Sequence, residues 1–112
     1  MINYDNRRFR SISNSANGEI SGETVFEYQQ EGNFVSATYS GGAIVFGHMI
    51  GLANDEGELD IRYHHLNVVG DLMTGICHSI PVVLPDGKIR LYEKWRWTSG
   101  DQSEGESVIE EL

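Results

Sequence analysis

The residue in this chain best placed to do chemistry is a single carboxylate set among tryptophans. Over residues 88–98, KIRLYEKWRWT, the residues Ile89, Leu91, Glu93, Trp95 and Trp97 share one face. Arg90, Tyr92, Lys94, Arg96 and Thr98 share the other. Period two over that length specifies a β-strand with one dry face and one wet face. If the tryptophan face is dry, Glu93 is dry too, and an ionised carboxylate there is costly unless something pairs with it. Three chemistries fit the residue type. It can form an internal pair with a His or Arg of a neighbouring strand or with water, anchor a polar group at the base of a ligand cavity, or act as a general acid or base.

Two histidines fall on apolar strand faces. His65 follows Leu59, Ile61 and Tyr63 at alternate positions, and His78 lies between Ile76 and Ile80. If those faces turn inward, a cavity gains two imidazoles beside Glu93, a set from which a metal site is the remotest outcome. His64 and His65 cannot chelate together, because adjacent strand residues point to opposite faces. His48, between Phe46 and Ile50, fits either side. Cys77 points away from His78 for the same reason, so a Cys–His dyad needs a histidine from elsewhere. Ser103 lacks the spacing and strand-to-helix setting of a nucleophile elbow. No glycine-rich dinucleotide fingerprint or phosphate-binding loop occurs, and no cofactor is expected.

The elements that position these groups read as strand, turn, strand throughout. Strands are expected at residues 7–13, 24–30, 34–40, 58–66, 72–80, 88–98 and 106–111. Thr24, Phe26 and Tyr28 share one face of the second. Residues 14–22 read as a loop rich in Asn, Ser and Gly. Residues 43–53, AIVFGHMIGLA, are the most apolar run; Gly47 and Gly51 disfavour a helix there and suggest bends or bulges in a strand. Pro85-Asp86-Gly87 is the clearest turn signal. About eight strands in hairpin succession form an antiparallel meander, and closing it into a barrel removes both exposed edges.

Charge supports closure. The 112 residues carry a formal net charge of −9, but the ends differ in sign. Residues 1–10 hold Arg7, Arg8 and Arg10 against Asp5; residues 101–112 hold Asp101, Glu104, Glu106, Glu110 and Glu111. Either the acidic end is a solvated tail, or the first and last strands pair and these charges become cross-strand neighbours. An acidic chain repels phosphate backbones, so nucleic acid is not an expected partner. One cysteine, Cys77, permits no internal disulfide, and no apolar stretch reaches the length of a membrane helix. A single domain over residues 1–112 in a reducing, cytoplasmic setting is expected, with no membrane partner.

The segments GETVFEYQQEGN, YSGGAIVFGHMIG, PDGKIRLYEKWRWTSGDQS and ESVIEEL resemble a family of small bacterial proteins often labelled N-acetylglutamate synthase. The resemblance covers nearly the whole chain, including the Trp95-Arg96-Trp97 pair. It implies a lipocalin-like or avidin-like β-barrel and no established activity. The acetyl-CoA turn that the label requires, Q/R-x-x-G-x-G/A opening a helix, has its nearest counterpart in residues 29–34. That counterpart ends in Phe34 and lies in a hairpin, so the acetyltransferase label does not fit these residues.

The expectation is therefore an all-β, up-and-down antiparallel barrel of about eight strands that binds a small, partly apolar ligand without catalysis. Tyr28, Tyr39, Tyr63, Trp95 and Trp97 supply apolar walls; Glu93, His65 and His78 supply polar anchors. The alternative is an interaction module with a filled core. It would form a homodimer through an outer face bearing Val35, Ile44, Phe46 and Leu52.

Overall fold

A computed structural model describes residues 2–112. Eight strands follow in order: β1 (Arg7–Asn14), β2 (Val25–Glu31), β3 (Phe34–Gly41), β4 (Ile44–Ala53), β5 (Leu59–Asn67), β6 (Leu72–Val83), β7 (Ile89–Trp97) and β8 (Glu104–Glu111). Each pairs antiparallel with the next, and β8 pairs back onto β1, so the sheet is a closed barrel. The chain ends meet as their charges suggest. Arg10 lies opposite Glu110 across the β1–β8 seam, and Arg7 Nη1 reaches Glu111 Oε1 at 2.8 Å. Arg90 of β7 takes Glu110 at 2.6 Å. These partly exposed pairs are worth at most about 1 kcal/mol each; their larger role is to fix which strands become neighbours.

The two ends of the barrel differ. At the end where β1 begins, Tyr4, Phe9, Tyr28, Leu59, Leu91 and Ile109 are fully buried, and the Tyr4 hydroxyl donates to the Gly57 carbonyl oxygen. This half is packed solid. The opposite end carries the β3–β4, β5–β6 and β7–β8 hairpins and the longest connection, residues 15–24 between β1 and β2.

Four expectations need correction. His78 points outward and is exposed, as is Ile80, while Cys77 and Ser79 point in. Strand β6 puts its larger apolar residues outside because its inner positions must be small. Gly75 lies under the Tyr63 ring, and Ser79 faces Glu93. Val35 and Ile44 are core residues, whereas Phe46 and Leu52 are exposed. Gly47 marks no bulge; it lies opposite Tyr39, whose ring occupies the space a Cβ would take. Strand β6 also runs through Pro81 to Val83. Proline is tolerated there because the β5 pairing ends at Ser79, leaving no ladder bond on that side to lose.

Candidate functional site

The open half of the barrel is built in rows. Ser79, Glu93 and Ser107 are direct cross-strand neighbours on β6, β7 and β8. One row higher come Cys77, Trp95 and Gly105; above them Tyr63, Gly75 and Trp97. The alternation of large and small residues follows from bore width. Rings at Tyr39, Tyr63 and Trp95 each lie over a glycine of the next strand, Gly47, Gly75 and Gly105. The rings therefore lean along the wall and leave the centre free.

What remains is a cavity with about 50 Å³ open to the centre of a water molecule, inside an envelope of about 440 Å³ that includes its mouth. A single water needs roughly 10–15 Å³ on that measure, so the space holds several waters or one small ligand. Phe26, Tyr39, Tyr63, Trp95 and Trp97 form most of its wall. The indoles meet edge to face with centroids 5.5 Å apart, and Trp97 continues the contact to Tyr63 at 5.8 Å and His65 at 5.7 Å.

Glu93 forms the floor and is 7% exposed. Ser79 Oγ donates to Oε2 at 2.8 Å and Ser107 Oγ to Oε1 at 3.1 Å. Its partners are these two hydroxyls and the Cys77 thiol, with no His or Arg among them. Burial pushes its pKa from 4.5 up to about 7, against the opposing pull of the hydroxyl bonds. Burial, then the nearby Glu93 charge, also pushes the Cys77 thiol well up, so it stays protonated. Cys77 Sγ has Ser79 Oγ at 3.6 Å and no histidine partner.

Residues 15–24 form a lid over this cavity. Glu19 lines it from above, and its carboxylate accepts from His65 Nε2 at 2.7 Å and Asn67 Nδ2 at 3.1 Å. The Tyr39 hydroxyl lies 2.9 Å from His65 Nδ1, so both ring nitrogens are engaged. Trp97 Nε1 donates to the Asn17 carbonyl at 3.1 Å, and Asn17 Nδ2 donates to Ser103 Oγ and to the Glu104 carbonyl. Asn14, where β1 ends, donates through Nδ2 to the Ile20 carbonyl. Its Oδ1 is buried with no partner.

A family model described as avidin-like protein matches residues 2–112. The chain belongs to the avidin-like family. No curated protein and no solved structure matches it. The avidin-like barrel gathers six of the eight residues expected to line a cavity, Glu93, Trp95, Trp97, Tyr63, Tyr39 and His65, the last of them beneath Glu19 of the lid. Tyr28 is inside but belongs to the packed half, tilted against Phe9 with centroids 4.8 Å apart, and His78 is outside. Sequence reasoning missed Asn14 at the end of β1, the lid residues Glu19 and Ile20, and the floor partner Ser107. The length of the lid connection was the available signal, since its polar composition reads equally well as an idle loop.

Proposed function

We propose that this avidin-like barrel binds a small, partly apolar ligand in its lidded half, as a binding protein and not a catalyst. The observation that carries the reading is the contrast between the two halves: one is packed solid, the other holds an aromatic-walled cavity with a buried carboxylate at its base. A barrel of eight strands has room for one small ligand, and pockets of this kind combine apolar walls with a few placed polar groups. Burial and the neighbouring Glu93 charge hold the Cys77 thiol in its protonated form, and it has no histidine partner, which suits binding better than covalent chemistry. Both tryptophans line the cavity, so intrinsic fluorescence titrated against a metabolite library reads occupancy directly. Saturable changes lost in Trp95→Ala and Glu93→Ala are expected; signals unchanged in both variants would place any binding elsewhere.

A second reading, a homodimer, is favoured by exposed Phe34, Ile50 and Leu52 on the outer face of β3 and β4. Light scattering tests it.

A further inference from the structure

We infer that the ligand of this cavity is a small aromatic or aliphatic ammonium, or an amidinium of similar size, held with its charged nitrogen over Glu93 and its body against the wall that Trp95 and Trp97 form. The inference rests on the binding reading above and deepens it. It comes from an inventory of what the cavity leaves unused. Trp97 Nε1 is spent on Asn17, and both imidazole nitrogens of His65 are spent on Tyr39 and Glu19. Asn14 Nδ2 is spent on Ile20, while its Oδ1 is free. Each Glu93 oxygen accepts one hydroxyl bond, and with the Cys77 thiol added the carboxylate keeps capacity for a further donor. The Tyr63 hydroxyl, over Gly75, and the Trp95 indole N–H are the uncommitted side-chain donors of the lining among the described residues. No Lys or Arg lines the space; its two formally charged acids are Glu93 and Glu19. The cavity thus carries acidic acceptors with no Lys or Arg to balance them.

The walls point the same way. Ring faces attract cations placed within about 6 Å of their centroids, and Trp95 stands one row and Trp97 two rows above the carboxylate. A carboxylate or phosphate ligand would meet Glu93 with no cation to offset it. A neutral apolar ligand would leave Asn14 Oδ1 without a partner and the Glu93 charge without a counter-ion. The titratable groups facing Glu93 are Tyr28 of β2, Tyr39 of β3, Tyr63 of β5, Cys77 of β6 and Tyr4 of the leading segment. All are neutral acids, and none supplies the missing positive charge.

The test uses three matched probes with the intact protein: benzylamine, benzyl alcohol and benzoate, each titrated by tryptophan fluorescence and calorimetry. Benzylamine should bind most tightly, benzoate should not bind, and Glu93→Gln should weaken benzylamine roughly 10–100-fold, the range of a lost charge-assisted bond, while sparing benzyl alcohol. Benzylamine affinity should fall about tenfold per pH unit below the Glu93 pKa, because binding the cation releases the carboxyl proton. Equal or tighter binding of benzyl alcohol or benzoate, or an unchanged benzylamine affinity in folded Glu93→Gln, overturns the ligand class and leaves the pocket standing. If no probe binds and no compound of a broad metabolite library raises the melting temperature, the binding reading itself fails, and this inference with it.

Discussion

Replacing Glu93 by Gln should stabilise the empty barrel at neutral and alkaline pH, although it removes a buried residue with two hydrogen bonds. The folded protein holds this carboxyl at a pKa of about 7 against an ordinary 4.5. At about 1.4 kcal/mol per pH unit, that difference amounts to about 3 kcal/mol. The sign follows from proton binding. Between pH 4.5 and 7 the folded state keeps a proton that the unfolded state has released, so stability falls as pH rises through this window. Above pH 7 both states are ionised and the full penalty of a buried charge remains. Below pH 4.5 both are protonated and the penalty vanishes. Gln has no charge to bury, its amide oxygen accepts one serine hydroxyl and its amide nitrogen donates to the other. Urea unfolding of wild type and Glu93→Gln from pH 4.5 to 8.5 isolates the effect, since every other titrating group cancels in the difference. The variant should match wild type near pH 4.5 and exceed it by about 3 kcal/mol at pH 8 and above. A difference that does not change with pH, or a variant less stable at pH 8, would show that a cation or water already compensates the carboxylate.

The other predictions concern the packing around this group. Tyr28→Phe should stabilise by about 1 kcal/mol, because the Tyr28 hydroxyl is buried with no partner and its removal deletes only a desolvated group; chemical denaturation checks it. Gly75→Ala should cost about 1–3 kcal/mol, since the new methyl group would occupy the place of the Tyr63 ring, and Trp97 fluorescence should shift as its neighbour moves. Glu19→Ala removes the acceptor of both His65 and Asn67; amide exchange should accelerate roughly 10–100-fold over residues 15–24 while the protection of β7 is kept.

Much of the fold is written in local pattern. The alternation of β7 and β5 predicts which residues turn inward, and the opposite charges of Arg7 and Glu111 foretell the seam that closes the barrel. Strand β6 is where the pattern misleads. Its inner face is Gly75, Cys77 and Ser79, chosen for smallness beneath Tyr63 and Glu93, so hydrophobicity points to the wrong side and takes His78 with it. That constraint belongs to neighbouring strands and is invisible within β6. The depth of a residue along the bore is equally hidden. Tyr28 and Tyr39 look alike as alternating aromatic positions, yet one packs in the filled half and the other lines the cavity. The lid escaped because its residues carry no periodicity; Glu19 acquires meaning only when His65 and Asn67 come beneath it.

A ligand is expected to lie against the two indoles, directly above Glu93. Amide and indole resonances followed by two-dimensional NMR during titration with benzylamine test it most directly. The account predicts saturable shifts centred on the Trp95 and Trp97 indoles, Ser79, Ser107 and residues 17–20 of the lid. Shifts confined to the outer face of β3 and β4, or to the packed end around Tyr4 and Leu59, would contradict it.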